Sequence, residues 1–136
     1  MQSWLVRGLG MAAVHAVAQV VVAAGAVTGP DRMIRVVALV ALAGVGVLWG
    51  ATDGRREHPH AALVWFRAGL LAGPVAGLLG VLGRNLLVDG TGVEALPVAL
   101  TGGAAFTALL VMGPAALGTA LGRRWAVLRR GDSPAS

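Results

Sequence analysis

The chain has 136 residues, of which 57% are hydrophobic and 12% charged, and it carries a formal charge of +5 with a pI near 11.8. An ordinary soluble domain carries about 25% charged residues, so this composition excludes a typical soluble enzyme. The basic excess is no nucleic-acid footprint either: every basic residue is arginine, most flank apolar stretches, and two Phe with no Tyr supply no basic face interleaved with aromatics.

Four apolar segments, each near the ~20 residues needed to cross a ~30 Å hydrocarbon core, account for almost all of the length. The expected fold is therefore all-α, a polytopic bundle of four transmembrane helices forming one domain over 1–136. No length remains for a separate soluble or catalytic domain. Segment one, 8–27, follows Trp4 and Arg7 and contains no full charge. Its Ala24-Gly25-Ala26 has the small-x-small form of a cleavage site, but the apolar run exceeds the roughly 7–15 residues of a signal-peptide core, which favours a retained span. Segment two, 34–52, begins after the turn Thr28-Gly29-Pro30-Asp31 and is the least polar of the four. Segment three, 61–83, is entered through His58-Pro59-His60 and holds Arg67 within its first two turns. Segment four, 96–122, has Pro97 suited to its first turn and Pro114 well inside, where a kink is expected. Residues 123–136 follow as a basic cytoplasmic tail.

Orientation follows from arginines near the span ends. Arg7, Arg55, Arg56, Arg67, Arg123, Arg124, Arg129 and Arg130 fall on one side, against Arg32, Arg35 and Arg84 on the other, which places both termini in the cytoplasm. Trp4, Trp49, Trp65 and Trp125 fall at helix ends on that same cytoplasmic side. The two halves also share a pattern: Trp then Arg enters each first helix (Trp4 and Arg7; Trp65 and Arg67), and Gly-Arg-Arg ends each second helix (54–56; 122–124). Duplication of a helical hairpin produces such a pattern, and so does the general attraction of Trp and Arg to cytoplasmic helix ends.

His15 and Gln19 are the strongly polar side chains deep in segment one. Their i, i+4 spacing stacks them on one face with Arg7 and Met11. Polar groups are costly in hydrocarbon, so this face is expected to point into the bundle or a wet cavity, as a substrate-binding or pore-lining pair. The plain alternative is an interhelical hydrogen bond that only supports packing. Arg67 either snorkels to the interface or pairs with Asp53, since a short connection joins the ends of segments two and three; such a pair can act as a gate or anion contact. Gly69, Gly73 and Gly77 repeat every four residues and define a tight helix-packing face, whose partner is either within the chain or in a second copy. His58 and His60 flank Pro59 without a recognised zinc spacing, so no metal site is expected. No cofactor motif, nucleophile triad or facing carboxylate pair occurs, and no enzymatic activity is expected.

Trp4-Leu5-Val6-Arg7-Gly8-Leu9-Gly10-Met11-Ala12, the following His15-Ala16 and Gln19, and the ending Trp49-Gly50-Ala51-Thr52-Asp53-Gly54 resemble small actinobacterial membrane proteins. These are the bacterial four-transmembrane-segment members of the drug/metabolite transporter superfamily. The arginine-only basic complement, with abundant Ala, Gly and Val, agrees with a GC-rich coding bias of the actinobacterial kind. The resemblance implies a multi-pass protein of the bacterial plasma membrane that moves an unknown small molecule, as a dimer or other homo-oligomer within the lipid bilayer. One departure stands out: the better-understood four-helix multidrug transporters are built around a glutamate in the first helix, and segment one has no acid. The rival expectation is a non-transporting scaffold or assembly partner that binds through the glycine face of segment three.

Overall fold

The structure, a computed structural model, describes residues 3–28, 32–58, 60–89 and 93–131. Four long helices dominate: α1 (Ser3–Thr28), α2 (Arg32–Arg55), α3 (Ala61–Arg84) and α4 (Ala104–Gly131). A helical lead-in precedes α4, made of a 3₁₀ turn (Val93–Ala95), a single α turn (Leu96–Val98) and a π turn (Ala99–Gly103). With these additions all four are long and apolar enough to cross a membrane. The chain is a small all-α, multi-pass membrane protein. Helices suit this solvent because they satisfy their own backbone hydrogen bonds where no water is present to do so.

Each helix runs beyond its apolar segment. α1 begins five residues before residue 8, and α4 continues through Arg123, Arg124, Arg129 and Arg130, so most of the predicted tail is helix. Ala, Leu and Arg are strong helix formers, and hydrogen bonding along the axis does not stop where hydropathy falls. Pro74 and Pro114 both lie within continuous helix. The backbone departs from α geometry elsewhere, in the π turns Asn85–Asp89 and Ala99–Gly103. The Gly29-Pro30-Asp31 turn, Pro59 and residues 132–136 lie outside the described residues.

Around the bundle the order is α1, α3, α4, α2: α1 packs on α3, α3 on α4, and α4 on α2, whereas α1 and α2 touch little. Small residues make the three close seams, since backbones that approach in lipid gain van der Waals contact without any hydrophobic drive. On α3, Gly69 faces Met112 and Ala108, Gly73 faces the Ala104 carbonyl, and Gly77 faces the Ala99 carbonyl, where an added Cβ would sit 2.7 Å from the oxygen. The glycine face of α3 is therefore already occupied by α4 and its lead-in. On α1, Gly8 lies over Ala68, where a Cβ would come within 3.0 Å of the carbonyl oxygen.

The α2–α4 seam has an internal regularity. Gly50 and Gly54 lie against the carbonyls of Ala115 and Thr119, while Gly118 and Gly122 lie against those of Val47 and Ala51. A shift of 68 residues turns Val47, Gly50, Ala51 and Gly54 into Ala115, Gly118, Thr119 and Gly122, and so exchanges the two sets of contacts. The Gly-Arg-Arg triplets at 54–56 and 122–124 are related by the same shift. This seam is thus locally two-fold, with the two helices parallel.

The core runs along α3 as Trp65, Ala68, Ala72 and Ala76, with Met11 and Ala12 of α1 and Val111 and Ala115 of α4. Leucine and valine of all four helices remain exposed in quantity, for example Val17, Val40, Leu70 and Leu109. In a bilayer that surface meets acyl chains.

Candidate functional site

Two polar centres lie inside this apolar bundle. The first joins α1, α2 and α3 at the end of the bundle where α2 turns into α3. Arg7 projects from the second turn of α1, and its neighbour Gly8 lets α1 approach α3 closely. Arg7 Nε donates to Asp53 Oδ2 at 2.8 Å, and Nη2 donates to Oδ1 at 2.7 Å. Trp65 Nε1 adds a third donor to Oδ2 at 2.9 Å, and Arg7 Nη1 donates to the Ser3 carbonyl at 2.9 Å. The guanidinium also lies 5.9 Å from the Trp65 ring centroid, within cation–π range. Trp49 meets Trp65 edge to face, with centroids 5.8 Å apart. Arg7, Asp53 and Trp65 are all buried. A fork-to-fork pair in which both carboxylate oxygens are satisfied is the geometry that makes a buried ion pair tolerable.

This arrangement corrects two sequence expectations. Asp53 pairs with Arg7, not with Arg67, which is exposed. The reason is helical phase: Ala61, Trp65, Ala68, Ala72 and Ala76 form the buried face of α3, and Arg67 lies off that stripe. Trp65 is likewise a core residue and hydrogen-bond donor rather than an interfacial anchor, whereas Trp125 is exposed and stacks with Arg129. At the same end Arg130 pairs with Glu57. The α2–α3 turn is tight, with Glu57 and His60 both in the left-handed region (φ 50° and 58°).

The second centre lies between α1 and α2, where they diverge. There an open-sided cleft of about 570 Å³ is walled by alanines and by Val22, Leu39 and Leu42, and reaches Arg35, Arg84 and Phe106. A neighbouring compartment of about 490 Å³ is formed with the lead-in to α4 and includes Ala99, Gly103 and Thr107. His15, Gln19, Arg84 and Phe106 line both. Such volumes fall in the range of small-molecule sites, about 300–1,000 Å³.

His15 is only 7% exposed. Its Nε2 lies 3.2 Å from Thr107 Oγ1, and its Nδ1 has no hydrogen-bond partner. Gln19 Nε2 reaches the Ala76 carbonyl at 3.5 Å, and its amide fills the space that a side chain at Gly80 would need. Arg84 donates from Nε to the Gly80 carbonyl at 3.2 Å, which folds its side chain back along α3 to the level of Gln19. His15 and Gln19 thus share the cleft, while Asp53 and Arg67 do not line it. Sequence reasoning used Arg84 only for sidedness and passed over Thr107; an isolated Thr within an apolar span, followed on other helices, is the signal that marks it.

Comparison with known proteins gives no match, either to a family model or to a curated sequence.

Proposed function

We propose that the chain is a small membrane carrier of the drug/metabolite type, in which the α1–α2 cleft receives the transported molecule. The observation that carries this reading is that the polar face of α1, His15 and Gln19, opens on a cleft of ligand size walled by apolar side chains. Buried polar groups in a membrane are retained at a cost, and a route for a polar solute is the usual return. The open side between α1 and α2 supports action as a homo-oligomer, since four helices seldom enclose a full path. Arginine sidedness supports a bacterial plasma-membrane protein with both termini in the cytoplasm. The proposed activity is passage, not covalent chemistry. The scaffold reading loses its main surface, because Gly69, Gly73 and Gly77 lie against α4 and its lead-in.

Reconstitution into liposomes loaded with a panel of small dyes and metabolites tests the carrier. Flux above protein-free liposomes, reduced at least about tenfold by His15→Ala, is expected; a cleft mutant indistinguishable from wild type rejects it. Orientation is separable, because the chain has no cysteine. An impermeant thiol reagent applied to intact cells should label Glu94→Cys, and should label Glu57→Cys only after permeabilisation.

A further inference from the structure

We infer that the cleft selects an amphiphile whose head group carries a hydroxyl hydrogen and a negative charge together, as in the monoanion of a phosphate monoester. This inference rests on the carrier reading and names its ligand class. Thr107 has one hydroxyl hydrogen, and its Oγ1 donates to the Gly103 carbonyl at 3.0 Å. With that hydrogen on the Gly103 carbonyl, the 3.2 Å contact to His15 Nε2 is met by the tautomer in which Nε2–H donates to Oγ1. Neutral His15 then carries its proton on Nε2 and presents a bare lone pair at Nδ1.

That lone pair is the buried polar atom without a partner. Leaving a buried acceptor unsatisfied is costly, so the site is matched to a ligand that brings a donor. Charge supplies the second requirement. Arg84 lines the cleft and no acidic side chain among the described residues does, so an anion is favoured and a cation opposed. The folded-back Arg84 places its charge beside Gln19, near His15, so donor and anion are asked of the same head group. The third requirement is an apolar body, since Val22, Leu39 and Leu42 line the cleft beside its alanines. A carboxylate or sulfate ester offers charge without the hydrogen, and an alcohol offers the hydrogen without charge. A monoalkyl phosphate offers both on one group as its monoanion, the form it takes below its second pKa of about 6.

The test uses purified full-length protein in non-ionic micelles at about pH 5.5, where dodecyl phosphate is mainly the monoanion and keeps its hydroxyl hydrogen. Binding of dodecyl phosphate, dodecyl sulfate and dodecyltrimethylammonium, each at low mole fraction, is followed by native mass spectrometry and by the shift in thermal unfolding that a ligand specific for the folded state produces. Dodecyl phosphate should bind about tenfold or more tightly than dodecyl sulfate, the effect of one hydrogen bond involving a charged group. His15→Ala should erase that preference, and Arg84→Gln should weaken both anions together. Thr107→Val, which frees Nε2 and lets the proton move to Nδ1, should narrow the preference without abolishing binding, and so guards against a His15 variant that merely misfolds. Arg67→Gln should change nothing. Equal binding of phosphate and sulfate, or preference for the ammonium, overturns the head-group assignment while leaving the cleft a binding site. Binding of none of the three overturns both readings.

Discussion

Arg7, Asp53 and Trp65 lie far apart in the chain and meet in one hydrogen-bonded group, with each member buried. Removing one partner of a buried ion pair strands the other charge and costs about 3–5 kcal/mol. Arg7→Ala or Asp53→Ala is therefore expected to destabilise the fold by about that much, read as loss of thermal stability in detergent. The double substitution should cost less than the two single ones together, because neither charge is then left behind. Arg67→Ala, at an exposed position, should have little effect. This contrast also shows what the sequence conveyed at residue scale. Proximity of helix ends correctly directed attention to Asp53, but pairing depends on helical phase. The phase of α3 was legible in its alanine and glycine stripe, whereas the 46-residue separation of Arg7 from Asp53 gave no sign of their contact.

The helices were the most legible elements, because apolar length in a chain of this kind leaves few alternatives. Their ends were less so: α4 carries its helix on past the apolar run to Gly131, through arginines that are good helix formers and through the Arg130–Glu57 pair. The packing seams were half legible. The four-residue glycine spacing in α3 marks a close contact, but only the fold assigns that contact to α4 and its lead-in. Glycines on the seams should be intolerant of bulk. Gly50→Leu and Gly73→Leu are each expected to unfold the bundle or prevent its assembly, since each would drive a side chain into a facing carbonyl. Gly44 and Gly113 have open space around the position of a Cβ, and Gly44→Ala or Gly113→Ala should be neutral or slightly stabilising, by up to about 1 kcal/mol. Thermal melts of the four variants give a direct comparison.

For the whole molecule, the consequential feature is the unequal closure of the ring. Three seams are tight, and the fourth, α1 against α2, is joined by Arg7–Asp53 at one end and by the Gly25–Ile34 approach at the other. Nothing in the hydropathy of α1 and α2 distinguishes a closed pair from a splayed one, so the cleft itself could not be read from sequence; only the polar face that borders it could. If the carrier reading holds, bridging the seam should stop transport without unfolding the protein. Cysteines introduced at Ala23 and Ala38, joined by a short thiol cross-linker, are expected to abolish flux and amphiphile binding, with recovery on cleaving the linker. Flux that persists in the fully cross-linked protein would mean that solute does not use this opening.

The exchange of contacts along α2 and α4 gives the molecule a division of labour. Positions 50 and 118 hold equivalent places on opposite sides of one local axis, so replacing either by alanine should produce similar losses, whereas α3 packs closely on α4 and α1 only lightly on α2. α3 and α4 form a closely packed pair, α2 keeps its footing along α4, and α1 is held by α3 along its length while it meets α2 mainly towards its two ends.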